Sequence, residues 1–433
     1  MKSAELLAVV IRSCRWGAAL GLLLGFSARA EGFRNPPEGG ASMGRVGGNI
    51  ALDDDASAVS RNPANLALIP GPQVEVGANI VHPVIKFTSA LTGKTDETED
   101  PWKILPYAFA SMPLKDNQFA LGLGVSSPFG QSVAWNQNSQ FRYTAPYFAE
   151  LRVVNVNPTL SAKVGDHLCL AIGADIYASD IEMRQYVSWA QATGAPVPDG
   201  LEKLEGSGAG IGGNAALTWL ITDNQRLALT YRSPVKVKYD GHITVGNVPP
   251  MMSALVLPRA DFNTAITFPA SAGFGYSIKC CDKLKLEADL EWIQFNSYED
   301  LTLDAGGDNP LLHPAGDPVP PVAPKTIPQN WKNTWTAGVG AEYQFSSAAV
   351  LRFGYQYIES PIPDNTMAPT LPDDDRHVVS VGLGVKHGAH ALDLAFMQSF
   401  FHNRTISTQP MPFYNGTYEI NSQIIAGSYS YSF

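Results

Sequence analysis

The stretch GSYSYSF, residues 427–433, decides the fold of this chain. Its aromatic residues, Tyr429, Tyr431 and Phe433, alternate with serines. Successive side chains of a β-strand point to opposite faces, so the alternation places three rings on one face and three hydroxyl groups on the other. An aromatic strand at an open sheet edge would pair with other chains and aggregate. The stretch therefore predicts a strand with paired edges, as in a closed sheet surrounded by lipid.

The same alternation recurs along most of the chain. Apolar residues alternate with charged residues at 285–292, with polar residues and glycine at 351–357, and with small residues at 119–125. We predict that the strands start near residues 73, 105, 117, 148, 167, 207, 226, 262, 283, 333, 349, 376, 390 and 418.

Short turns and long loops alternate between these fourteen predicted strands. An even strand number with that alternation of loop length is typical of an outer-membrane β-barrel. A soluble β-sandwich would also alternate apolar and polar residues, but it would not require loops that are short at one end and long at the other. We therefore predict an all-β protein, a 14-stranded antiparallel transmembrane β-barrel at residues 71–433, located in a Gram-negative-type outer membrane.

Residues 1–30 have the three parts of a secretory signal peptide. Lys2 and two arginines precede an apolar run, and Ala28-Arg29-Ala30 supplies the small-x-small cleavage pattern. A transmembrane anchor is the alternative, but the run is about half of the roughly 20 residues that a spanning helix needs. We expect the mature chain to start at Glu31.

Composition and motifs exclude several classes of function. The formal net charge of −10 and the lack of a basic cluster argue against a nucleic-acid partner. GAGIGG at 208–213 matches G-x-G-x-x-G but leads into a strand, which is the wrong context for a dinucleotide site. Cys169 with Cys280 or Cys281 is the only plausible disulfide after the signal. The sequence has no metal-spaced histidine pair, so we expect no metal site, and we also expect no enzyme activity and no cofactor.

The segment 31–70, which we call the hatch, does not alternate. It contains glycine-rich turns and short helical pieces, with Asn62 as a suitable N-cap, Pro63 at the first helical position and Ala64 next. A non-strand segment of this size before the first strand is predicted to fill the lumen of the barrel.

Several segments together resemble the FadL/TodX family of outer-membrane transporters for long-chain fatty acids and other hydrophobic compounds. They are DDDASAVSRNPANLALIP at 53–70, LALTYRSPVKVKYDG at 227–241, FPASAGFGYS at 268–277, EWIQFNSYEDL at 291–301 and SPIPDNTMAPTLPDDDRHVVSVGLG at 360–384. The Asn62-Pro63-Ala64 motif and the P-D-x-D-R segment with Asp373, Asp375 and Arg376 are the more specific parts. The resemblance implies a monomeric barrel, a hatch that carries the NPA motif, and a lateral opening at a kink in the third strand.

A hydrophobic cargo needs an apolar path, since an acyl chain of about sixteen carbons would lose on the order of 12 kcal/mol on entering a water-filled pore. The loop after the seventh strand is unusually apolar and is a candidate uptake groove. Its members are Met251, Met252, Leu255, Val256 and Leu257. The alternative is a loop that folds over its own small cluster.

Pro128 and Gly130 interrupt the third predicted strand. Proline removes a donor from the ladder and glycine tolerates unusual dihedral angles, so pairing with one neighbour should fail there. The interruption predicts a lateral gap in the wall or, alternatively, an ordinary strand end at the rim.

A fatty-acid carboxylate in the lumen would need a cation. Similarity to the family carries the head-group positions onto Arg184 and Lys332. The alternative is that each pairs with a lumenal carboxylate such as Glu182 or Glu342. The aspartates from Asp373 to Asp375 are either a calcium-binding loop or partners of Arg376.

The resulting hypothesis is a transporter that takes up long-chain fatty acids or similar hydrophobic molecules through an apolar lumen, hatch gating and lateral exit into outer-membrane lipid. Uptake of neutral aromatic or alkane hydrocarbons is the main alternative. A general porin should lack a hatch. An outer-membrane lipid-modifying enzyme would need a convergent set of serine, histidine and an acidic residue.

Overall fold

The computed structural model describes residues 32–99, 102–114, 118–253, 256, 258–304 and 325–433. The predicted signal peptide and the loop residues Leu255 and Leu257 lie outside the described residues. Those described form a closed antiparallel barrel of 14 wall strands, as the alternation predicts.

In chain order the wall strands are β1 Gln73–Ser89, β2 Lys103–Leu114, β3 Phe119–Ser126 continued by Gly130–Ala134, β4 Phe148–Val164, β5 Leu168–Val187, β6 Gly200–Thr222, β7 Gln225–Arg232 continued by Val235–Val245, β8 Arg259–Phe268 continued by Ser271–Cys281, β9 Leu284–Ile293, β10 Thr334–Gln344, β11 Ala349–Ile358, β12 Arg376–His387, β13 His390–Phe401 and β14 Gly416–Ser432. The start predicted near residue 207 was late by several residues, because β6 begins before the apolar run and includes the polar LEKLEGS.

The remaining elements are short. Small strands lie at Thr95–Glu97, Asp300–Leu303, Lys325–Pro328 and Arg404–Ile406, α-helices at α1 Gly40–Gly44, α2 Ala58–Arg61 and α3 Trp189–Thr193, and 3₁₀ turns at Pro63–Leu68, Pro250–Met252, Phe295–Ser297 and Pro412–Tyr414. Within the described ranges, no helix is both long and apolar enough to cross a membrane.

The C-terminal stretch closes the barrel. β14 pairs with β1 along its whole length, from Ser432 opposite Gln73 to Gly416 opposite Ser89. Tyr429 is exposed on the outer face, whereas Ser428 and Ser430 of the same strand are buried in the lumen. The first and last strands thus protect each other's edges, which explains the aromatic alternation.

The hatch lies inside the barrel. α1 packs against β12 and β13, and the 3₁₀ turn at Pro63–Leu68 packs against β4 and β5. Inward-facing glycines make room for it: a Cβ at Gly382 would lie 2.8 Å from the Cα of Gly44. The small residues that alternate with apolar residues in the sequence are therefore the contact surface for the hatch.

Polar contacts fix the NPA part of the hatch. Asn62 caps the 3₁₀ turn by accepting a hydrogen bond from the Ala64 amide at 3.2 Å, as predicted, and Pro63 occupies the first position. The Asn62 side chain also donates to Thr218 Oγ1 of β6 at 2.8 Å. The motif therefore joins the local turn to the barrel wall.

Candidate ligand path

The end of the lumen near the long loops contains an aromatic pocket, which is filled by the hatch. The Phe33 side chain is buried, and its ring centroid lies 5.1–5.9 Å from five others. These rings belong to Phe129, Phe268, Phe295, Tyr298 and Trp331. Four of the five contacts are edge-to-face, the arrangement that aromatic pairs favour. The pocket thus has the size and polarity for an apolar group, and Phe33 occupies it.

Backbone hydrogen bonds join the same part of the hatch to the interruption in β3. The Asn35 amide donates to the Pro128 carbonyl at 3.0 Å, and the Gly130 amide donates to the Phe33 carbonyl at 2.9 Å. The Asn35 side chain adds a third bond, to the Ser127 carbonyl at 2.8 Å. The N-terminal part of the hatch thus supplies a short pairing segment where β3 is broken.

The P-D-x-D-R segment lies over this N-terminal part. The Gly32 amide donates to Asp373 Oδ2 at 2.8 Å, and Ser360 Oγ donates to the same oxygen at 3.0 Å. Arg376 Nη1 lies 3.6 Å from Asp373 Oδ1. Burial raises the pKa of Asp373 to about 6, although Arg376 opposes that shift. Asp375 accepts from the Ser360 amide at 3.2 Å, so both predicted carboxylates stabilise the loop above the hatch.

Before Pro128, β3 pairs with both β2 and β4, and after Pro128 its ladder continues with β4 alone. The ladder between β2 and β3 ends at Ala108 opposite Val125. The second piece of β3 pairs with β4, beginning at Gly130 opposite Arg152. Residues 127–129 stand opposite residues 153 and 154 of β4, so β3 carries one extra residue there and bends as a bulge does.

A cavity of about 590 Å³ lies at this bend, within the roughly 300–1,000 Å³ of ligand pockets. Its lining comprises the hatch from Arg34 to Pro37, residues 102–106 of the β2 side, residues 150–154 of β4, and apolar side chains of β13 and β14. Val153 faces the lumen, whereas Val154 is exposed on the outer face. Because both line the same cavity, it passes through the wall between β2 and β3.

The structure does not place Arg184 in the lumen. Ile181 and Met183 of β5 pack on the inner aromatic cluster, so Arg184 shares the opposite, outer face with Glu182. Arg184 Nε donates to Glu182 Oε1 at 2.5 Å, and its guanidinium lies 4.7 Å from the ring centroid of Phe148. Its head-group role stays a prediction, and this placement counts against it.

Lys332 lies on the other side of the lumen from the bend, just before β10. Its backbone amide donates to the Pro361 carbonyl at 3.1 Å, and the preceding Trp331 belongs to the aromatic pocket around Phe33. The structure thus brings Lys332, but not Arg184, to the edge of that pocket. Its contact with a ligand stays a prediction.

The apolar loop after β7 divides into two parts. Met251 is exposed. Val256 is buried in a small cluster with Trp189 and Val245, and Met252 packs against that cluster. Leu255 and Leu257 lie outside the described residues, and the uptake groove and its alternative, a self-packed loop, both stay predictions.

Two functional features of the hatch were not found from the sequence. Phe33 is a single aromatic residue in a segment without periodicity, so no pattern marks it. Arg34 donates from both Nη atoms to the two carboxylate oxygens of Glu291, at 2.8 and 2.9 Å. The acidic residues that alternate along β9 were the available signal for that pair, because a carboxylate buried in the lumen requires a partner.

Comparisons with known proteins agree with this geometry. The family described as "Outer membrane protein transport protein (OMPP1/FadL/TodX)" matches residues 21–433. The chain is similar to the long-chain fatty acid transport protein of Escherichia coli O6:H1, with 22% identity over 83% of this chain and 84% of that protein. It also resembles the crystal structure of a Pseudomonas aeruginosa FadL homologue (TM-score 0.79, 23% identity, 93% of this chain, 100% of that one) and that of the Pseudomonas putida toluene transporter TodX (TM-score 0.69, 17% identity, 93% and 100%).

Proposed function

The chain belongs to the OMPP1/FadL/TodX family of outer-membrane transport proteins, and from that membership we propose that it takes up long-chain fatty acids or similar hydrophobic molecules. The observation that carries the proposal is the cavity that runs from the hatch, past the bend in β3, to the outer face of the wall. A porin carries hydrophilic solutes through a water-filled lumen and does not need a route to the lipid. A hydrophobic cargo does, because it stays in apolar surroundings from the lumen to the lipid.

In the proposed mechanism the cargo competes with Phe33 for the aromatic pocket. An acyl chain that enters the pocket replaces the apolar contacts of the Phe33 ring. Release of Phe33 also withdraws Asn35 from Ser127 and Pro128, because the two residues lie on one short stretch of backbone. The bend in β3 then loses its pairing segment and the cavity widens toward the gap. Ligand binding and opening of the wall are coupled through these few bonds, and the ion pair of Arg34 with Glu291, on the same stretch of backbone, must break or move with it.

The rest of the hatch keeps water-soluble molecules out. Its NPA part remains bonded to β6 through Asn62 and Thr218 while the N-terminal part moves. The cargo therefore leaves sideways into the outer-membrane lipid and does not need to pass through the hatch. Pro128 and Gly130 are the proposed site of that exit.

The test is uptake of three solutes into cells that lack other transporters of this class. Radiolabelled oleate, toluene and a small sugar are compared with and without the protein, at matched amounts of inserted barrel. We expect the protein to increase oleate uptake strongly and sugar uptake not at all. Increased sugar uptake with unchanged oleate uptake would contradict the proposal in favour of a porin.

Transport of neutral hydrocarbons is the second candidate. The aromatic pocket around Phe33 favours it, because flat rings pack well against edge-on aromatic side chains. The fold is also shared with the toluene transporter TodX. Toluene uptake without oleate uptake would identify this second function.

A further inference from the structure

The outer face of the barrel changes from apolar to charged at the height of the gap between β2 and β3. Val154 and Val156 of β4 and Ile172 and Ile176 of β5 are exposed on it. Two residues from Val154 toward the long loops, Arg152 of β4 pairs in register with Asp180 of β5. Side chains that face lipid are apolar and charged ones lie beyond the hydrocarbon, so the boundary lies between Arg152 and Val154.

The cavity emerges at this boundary. Both Arg152 and Val154 line it on the β4 side, and Trp102 and Ile104 line it on the β2 side. Trp102 and Ile104 are 58% and 67% exposed, which places two large apolar side chains at the opposite rim. A molecule in the opening therefore meets apolar groups on its lipid side and a guanidinium on its water side.

The Arg152 guanidinium is loosely held. Its side chain is 64% exposed, with Nε 3.5 Å from Glu150 Oε2 and Nη2 4.0 Å from Asp180 Oδ2. Both distances exceed the roughly 2.7–3.2 Å of a good hydrogen bond. Such a side chain can turn to a new anion without losing a strong ion pair, and its planar fork suits a carboxylate.

We propose that Arg152 is the head-group residue at the exit: it binds the carboxylate of a departing fatty acid while the acyl chain passes Val154 and Ile104 into lipid. The inference rests on the proposed function and adds a specificity residue to it. A fatty acid then leaves in the orientation of a membrane lipid, with its charge at the interface and its tail in the hydrocarbon. A neutral hydrocarbon gains nothing from Arg152, so the residue favours carboxylates at release.

The experiment compares oleate with hexadecane, a neutral chain of similar length, in vesicles that contain the purified protein. Arg152→Gln should lower the rate for oleate by about two- to fivefold, the scale of one exposed ionic contact. Arg152→Lys should retain most of the oleate rate, and neither substitution should change the hexadecane rate. Rates are expressed per inserted barrel, so a change in assembly does not enter the comparison.

Arg259→Gln is the matched control. Arg259 of β8 is 61% exposed and lies 4.0 Å from Asp261, a similarly loose ion pair, but it does not line the cavity. We expect this variant to behave as the wild type with both solutes. An Arg152→Gln variant with an unchanged oleate rate, or with oleate and hexadecane rates that fall together, would overturn the inference alone. A wild-type protein that transports neither solute would overturn the proposed function as well.

Discussion

The hatch is held to the barrel in different ways in its middle and at its N-terminal end. Near its middle, Arg45 is buried between Asp53 and Glu342, at 3.4 and 3.2 Å, and the backbone amides of Ile50 and Leu52 each donate to Glu287 at 2.8 Å. Removing one partner of such a buried ion pair costs about 3–5 kcal/mol. This part, the fixed half of the hatch, is therefore tied firmly to the wall.

The N-terminal end, from Gly32 to Asn35, is held by the Phe33 ring, by a few hydrogen bonds and by the ion pair of Arg34 with Glu291. Phe33 contributes apolar burial, and each neutral hydrogen bond contributes only about 0.5–1.5 kcal/mol net. An apolar ligand can replace the burial of the Phe33 ring, whereas it can replace neither the Arg34–Glu291 pair nor the buried ion pairs of Arg45. The difference teaches which half responds to cargo: at the N-terminal end cargo can replace the contacts of the Phe33 ring, and the middle keeps the lumen closed.

Deleting the whole hatch should give the largest effect. A variant without residues 31–70, with the signal retained, loses both halves at once. We expect it to insert as an open barrel and to pass ions and small hydrophilic solutes, measured as conductance in planar bilayers. An inserted barrel with wild-type conductance would show that the fixed half does not close the lumen.

Phe33→Ala should give the next largest effect and should separate the two halves. Truncating a buried phenylalanine costs about 3–5 kcal/mol, which is borne by the N-terminal end alone. We expect faster hydrogen exchange at the amides of residues 33–35, while the conductance stays as low as in the wild type. The exposed Phe345 at a periplasmic turn is the control, and Phe345→Ala should change neither measurement. Conductance that rises in Phe33→Ala would contradict the division into two halves.

The smallest effect is a dependence on pH through Asp373. Burial raises its pKa to about 6 when the hatch is docked, against about 3.9 for a solvated aspartate. Burial in the docked structure outweighs the opposing hydrogen bond from the Gly32 amide, so the docked form binds the proton more tightly than a solvated aspartate does. Docking is most stable below about pH 4 and loses this contribution as the pH rises through 6.

The N-terminal end should consequently be more mobile at pH 7.5 than at pH 5, measured by electron paramagnetic resonance of a spin label at Pro36→Cys. Arg376 and Arg404, which face Asp373, keep their charges over this range, so they add no pH dependence of their own. Asp373→Asn cannot ionise and should remove the difference. An equal difference in the Asn variant would assign the effect to another group.

The barrel was predictable because its information is local. Alternation along each strand, turn length and the aromatic terminus each report the same closed sheet, and they agree with one another. Asn62 and Pro63 were found in the same way, since a cap and the first residue of a turn depend on near neighbours.

Phe33 and Arg152 were not predictable because their roles depend on distant strands that meet only in the folded barrel. Arg184 is instructive in a different way. Its head-group role came from similarity to a family, yet alternation in IEMRQY already places the charged Glu182 and Arg184 on one face and the apolar Ile181 and Met183 on the other. Strand periodicity was the better guide to which residues face the lumen.

Locking the N-terminal end of the hatch to β3 tests the central claim most directly. A Cβ at Gly130 would lie 3.2 Å from Asn35 Nδ2, so the side chains of an Asn35→Cys, Gly130→Cys double variant lie side by side. The background carries serine at positions 280 and 281, and each single cysteine variant is the control. If release of this end opens the exit, oxidation should reduce oleate uptake by at least about tenfold, a barrier change of roughly 1.4 kcal/mol or more, and a reductant should restore it. Oleate uptake at the same rate in the oxidised and reduced double variant would contradict the account.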